Sequence, residues 1–216
     1  MKIQHPLITL ISLLLFMSLS SSVMAAQWYQ VELVVFERYS GSNAESWPEM
    51  RSINNGSLSP NSNNQLIKPA TMNHLAGVSQ RLSKASNYRV LYQESWRQPI
   101  LSKSRSKSVN IESSNGLIEG RIKLFRISYL HADIDLWFKE NGDIPFAAED
   151  SSNVNYPYNP HLEQIRRIRS NKLNYFDHPR VAAIIQITPI ATPASAAPKA
   201  TETYSLPQDS DTTSAQ

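Results

Sequence analysis

Arg166-Arg167-Ile168-Arg169-Ser170-Asn171-Lys172-Leu173-Asn174-Tyr175-Phe176-Asp177-His178-Pro179, followed after Arg180 by the mostly apolar run Val181–Ile187, decides how this chain is read. Four cations, Arg166, Arg167, Arg169 and Lys172, are interleaved with Ile, Leu and aromatic residues. Asp177-His178-Pro179 then supplies turn chemistry, since Asp accepts from nearby backbone N–H groups and Pro holds φ. The run after it is rich in β-branched residues and suits a buried strand. The stretch predicts a hairpin of Gln164–Phe176 against Val181–Thr188, with one cationic arm and one buried arm.

Working outward, the remaining strands are read from period two. Trp28–Phe36 begins with alternation and ends apolar on both faces, which predicts a central strand covered on two sides. Tyr88, Val90, Tyr92 and Trp96 alternate with polar residues, and Pro99 predicts that this strand stops there or runs along an edge. Val109 and Ile111 predict a short strand. From Ile118 to Phe138 the even positions are apolar except at Arg126 and Ser128, which predicts two strands joined by a tight turn at that break. Pro69 and Thr71 read as a helix start. Met72, Leu75, Ala76, Ser79 and Leu82 form its apolar stripe, and Asn87 ends it. Ser40–Asn64 and Asn141–Pro160 read as long loops. One main helix against a mostly antiparallel β-sheet gives an α+β class.

Composition bounds the rest. Lys2 precedes an apolar run, Leu7–Leu19, and the small residues Val23 and Ala25, so residues 1–25 read as a secretory signal peptide cleaved after Ala25. With that leader gone, no membrane span is expected. Residues 26–188 form a single domain of about 160 residues. Residues 189–216, rich in Ala, Pro, Ser and Thr, read as a disordered tail, because they have too little apolar surface to offset their ordering entropy. There is no cysteine, hence neither a disulfide nor a lipidated cysteine at the cleavage site. Without Lys2 the 21 basic and 18 acidic residues leave a net charge of +2, which with a secreted address argues against nucleic acid as partner.

Arg166, Arg167, Arg169 and Lys172, with Tyr175, form the strongest binding candidate: guanidinium forks match carboxylates, and a phenol offers a flat face with a polar tip. The plainer reading is a solvated face that keeps an edge strand unpaired. Trp96 and Arg97 form a second candidate, set against a core role for Trp96. Asp177, His178 and Pro179 are assigned to the turn. His131, Asp133 and Asp135 share one strand face, but residues two apart lie roughly 6–7 Å apart, too far for ready joint ligation of one ion. No metal or cofactor is therefore expected. No Gly-x-Ser-x-Gly element, phosphate-cradling loop or marked carboxylate pair points to an enzyme.

The order Arg-Arg-x-Arg-Ser-x-x-Leu-x-Tyr-x-Asp-His-Pro resembles the C-terminal signature of the CsiV family of Gram-negative bacteria. The likeness extends over Trp28-Tyr29-x-Val31-Glu32, Trp96-Arg97-Gln98-Pro99, Gly120-x-Ile122 and Tyr129-Leu130-His131 with Asp135-Leu136. Asn174 stands where the family has His, and Ala182 where it has Gly. The resemblance implies a non-enzymatic periplasmic protein that binds peptidoglycan and supports a class A penicillin-binding protein with its outer-membrane lipoprotein activator. It transfers no ligand residues. A purely protein-binding adaptor and a cell-wall hydrolase are the alternatives.

Overall fold

The computed structural model describes residues 26–40, 47–48, 50, 57–139 and 159–194. Residues 1–25, expected to be a signal peptide, much of the two expected long loops and most of the expected tail lie outside the described residues. β1 (Trp28–Arg38), β2 (Lys68–Pro69), β3 (Tyr88–Pro99), β8 (Leu173–Asp177) and β9 (Val181–Ile190) build one sheet in the order β2-β3-β1-β9-β8. β4 (Ser108–Glu112), β5 (Ile118–Arg126), β6 (Leu130–Phe138) and β7 (His161–Arg167) build a second in sequential order. Every pairing between these strands is antiparallel, and a single helix among the described residues, α1 (Ala76–Lys84), covers the first sheet. The fold is α+β with mostly antiparallel sheet.

β1 shows why its sequence loses alternation. Val31, Leu33 and Val35 enter the core between the sheets, while Val34 and Phe36 face the other way under α1 with Leu75 and Ala182. Across the core stand Ile122, Leu124, Ile134 and Leu136 of the second sheet. Burying each such side chain contributes roughly 1.5–3 kcal/mol, so the two-sided burial of β1 makes it the central strand energetically as well as topologically. β9 continues through Pro189 and Ile190, which pair with Tyr29 and Trp28, two residues beyond the expected domain end.

The helix begins later than its pattern predicts. Pro69 lies in β2, Met72 is exposed, and helical structure starts at Ala76 and ends at Lys84. The reason is a contact between distant residues: buried Glu32 of β1 accepts the Leu75 N–H at 2.8 Å and lies 2.7 Å from His74 Nδ1. A carboxylate there satisfies an orphan donor and complements the helix dipole. By contrast β5 and β6 form the expected hairpin, with Ile127–Tyr129 between the last pair, Arg126 and Leu130.

The cationic arm is where the reading of a single hairpin is corrected. β8 and β9 do pair around Asp177-His178-Pro179, but Gln164–Arg167 belong to β7 and pair with β6. The chain changes sheets between Ile168 and Lys172. Asn171 takes φ 57° there, and Asn tolerates this left-handed conformation better than most residues. Asn174 holds the switch: its Oδ1 accepts from Arg169 N at 2.9 Å, and its Nδ2 donates to the carbonyls of Arg169 and Lys172, each at 3.0 Å.

Candidate functional site

Because a strand's side chains alternate, Arg166 and Arg167 point to opposite sides of β7. Arg166 turns toward the first sheet. Its guanidinium donates to the Tyr175 carbonyl and lies 4.1 Å from the centre of the buried Phe176 ring. Gln164, two residues earlier on the same side, donates to the Asp177 carbonyl at 2.7 Å. These two side chains stitch β7 to the open edge of β8, so Arg166 is committed to the seam between sheets.

Arg167 turns outward. Its guanidinium carbon lies 3.5 Å from the centre of the Tyr129 ring, a close cation–π contact at a ring that is itself exposed. Ile165, on the same side of β7, and Ile127, beside Tyr129 in the β5–β6 turn, are also exposed. Arg169 and Lys172 follow on the exposed turn. Among the described residues none of Arg167, Arg169 and Lys172 is ion-paired. The candidate surface is therefore Arg167 stacked on Tyr129, with Arg169 and Lys172 beyond it. Stacking leaves the edge of the guanidinium open, where its N–H fork can meet a carboxylate.

Tyr175 lies elsewhere, on the helix-side face of β8. It stacks on Phe36 at 6.4 Å and donates to Asp177 Oδ1 at 2.9 Å. Burial first, and then that hydrogen bond to the carboxylate, push its hydroxyl above the usual phenol range. Asp177 and His178 are gripped by Arg38, whose Nη2 reaches Asp177 Oδ1 at 2.9 Å and the His178 carbonyl at 2.7 Å. Pro179 completes the turn, and Arg180 after it pairs with buried Glu37 at 3.0 Å. Trp96 is 0% exposed and donates to Gln98 at 2.6 Å, so it is a core residue and offers no platform. Arg97 donates to the Pro69 carbonyl at 2.7 Å, on β3, which β1 and β9 separate from β8.

On the outer face of the second sheet, His131 stacks on Phe125 while Asp135 pairs with Arg121 at 3.2 Å and His161 at 2.8 Å. These bonds, His161 foremost, hold the Asp135 carboxyl below its ordinary value. No group of three His, Cys, Asp or Glu side chains converges among the described residues. Tyr129 is the member of the candidate surface missing from the sequence-derived set. Its only signal was the Tyr129-Leu130-His131 stretch of the family likeness, because nothing in the pattern of β5 and β6 says which strand lies beside them.

No helix among the described residues is long and apolar enough to cross a membrane. No curated protein and no solved structure matches the chain. A family model described as "Peptidoglycan-binding protein, CsiV" matches residues 8–190, ending at the last residue of β9. The chain belongs to the CsiV family.

Proposed function

We propose that this chain is a non-enzymatic, periplasmic peptidoglycan-binding protein that supports a class A penicillin-binding protein together with its outer-membrane lipoprotein activator. The observation that carries the binding reading is the Arg167 guanidinium held over the Tyr129 ring, beside Arg169 and Lys172, with no carboxylate of the described residues paired to any of the three. Stem peptides of the wall carry carboxylates that suit such donors. The signal-peptide pattern of residues 1–25 supports the address, and the family description supports the ligand.

Sedimentation with purified, enzyme-free sacculi tests this. Retention without release of fragments is expected, weakened by salt and by Ser at 167, 169 and 172. Retention with soluble fragments indicates a hydrolase. No retention, with capture by the synthase or its activator, indicates an adaptor. The supporting role is read separately, as faster glycan polymerisation by the synthase and activator when the protein is added.

A further inference from the structure

The gap between β3 of the first sheet and β4 of the second holds a cavity of about 310 Å³, lined among others by Ser59, Asn61, Tyr92, Glu94, Asn110 and Glu112. Ligand sites run from roughly 300 to 1,000 Å³, so this one is large enough for a small unit of a polymer. The pairing of β3 explains two of its walls. Tyr92, Glu94 and Trp96 oppose Val35, Leu33 and Val31, so all three share the face of β3 turned toward the second sheet. Trp96 fills the core, whereas Tyr92 and Glu94 line the cavity.

The cavity's chemistry is that of acceptors in need of donors. Among the described residues neither Glu94 nor Glu112 is ion-paired. Asn110 Oδ1 is buried with no hydrogen-bond partner among the described residues, and buried acceptors in native proteins are nearly always satisfied. Burial, and then the Glu94 carboxylate, raise Tyr92 above the usual phenol range, so its hydroxyl keeps a proton to donate. Two carboxylates disfavour an anionic ligand. Sugar hydroxyls donate to carboxylate and amide oxygens and accept from phenol and serine hydroxyls, which matches each kind of wall.

We propose that this cavity takes a sugar residue of the peptidoglycan glycan strand, through hydroxyl donors to Glu94, Glu112 and Asn110. The assignment rests on the peptidoglycan-binding reading and adds a second point of contact. β4 and β7 are opposite edges of the second sheet, three strand spacings or roughly 14 Å apart, so the acidic cavity and the cationic surface address different parts of the polymer.

The test is titration of the protein with an N-acetylglucosamine tetrasaccharide, followed calorimetrically and by amide chemical shifts. Saturable binding is expected, with shifts at Ser59, Asn61 and Glu112. Glu94→Gln, Asn110→Ala and Tyr92→Phe should each weaken it about tenfold, and Lys84→Ser, at the exposed end of α1, should leave it unchanged. The shift map on the parent protein stands even where a variant fails to fold. Absence of binding, shifts confined to other surfaces, or folded cavity variants that bind as well as the parent overturn the assignment. So does competition at the cavity by a sugar-free stem peptide bearing a free amine, the other donor that two carboxylates would suit. Sacculus retention without tetrasaccharide binding removes this assignment alone. Tetrasaccharide binding at the cavity without sacculus retention removes the wall-binding reading and leaves the sugar site.

Discussion

The guanidinium of Arg166 lies 4.1 Å from the centre of the Phe176 ring, although Arg166 belongs to one sheet and Phe176 to the other. With the hydrogen bond from Arg166 to the Tyr175 carbonyl, this contact closes the corner where the chain passes between sheets. It separates two arginines that are adjacent in sequence into different tasks.

Arg166→Ser should therefore lower stability and affect binding only as a consequence. A solvent-exposed cation–π contact and an exposed hydrogen bond together suggest about 1 kcal/mol, or a fall of roughly 2–4 °C in Tm for a domain of this size. A thermal melt read by circular dichroism checks this. An unchanged Tm would show that β7 and β8 hold together without it.

Ser at Arg167, Arg169 and Lys172 should do the opposite. Exposed contacts contribute about 0.5–1 kcal/mol each, so the triple variant should keep its Tm within a degree or two while losing roughly tenfold or more in sacculus affinity. Its residual binding should also depend less on salt. A folded triple variant that binds as the parent does would leave these side chains as a solvated face.

Glu37 and Arg180 form a buried pair, with Arg89 also 2.7 Å from Glu37. Removing Arg180 leaves the buried Glu37 carboxylate to the half-exposed Arg89, so Arg180→Leu alone should cost about 3 kcal/mol, the low end for breaking a buried pair. Glu37→Leu with Arg180→Leu should recover much of that loss, because an apolar pair carries no desolvation penalty. Urea unfolding of the single and double variants measures the coupling.

A methyl at Gly120 would overlap the Asp135 carbonyl oxygen and come within 2.8 Å of Leu136 Cα. These are backbone atoms of β6, which cannot swing aside as a side chain does. Gly120→Ala should cost about 2–3 kcal/mol or more. The calorimetric Tm is the readout, and a loss below one degree would contradict the close approach of the strands.

Asp135 should make stability depend on acid pH. Its folded value lies below the unfolded 3.8, so the stabilisation is complete above the unfolded value and drains away as pH falls through the folded one. Asp135→Asn should flatten Tm against pH below about pH 4 and lower Tm near neutrality. Parallel curves for parent and variant would remove Asp135 from the acid response.

The sequence by itself determined most of the segments that become strands and the faces they bury, because both follow from local period; β2 and the break between β7 and β8 escaped it. Apolar even positions from Ile118 to Phe138 suffice for a hairpin, and the two-sided apolar end of β1 suffices for a central strand. Turn chemistry likewise placed the Asp177-His178-Pro179 reversal, and the family likeness pointed to the wall. Only the tertiary structure decided which strands become neighbours. Period two says that Arg166 and Arg167 part company; it does not say that β7 leaves β8 for β6. That pairing brings Tyr129 beneath Arg167 and sends Arg166 to Phe176, while the pairing of β3 with β1 sets Trp96 opposite Val31 in the core. Glu32 reaches Leu75 across more than forty residues and sets the helix start against the Pro69–Thr71 signal. Strand partners and caps of this kind join residues distant along the chain, and they are selected by the free energy of the whole packed arrangement, which no local window contains.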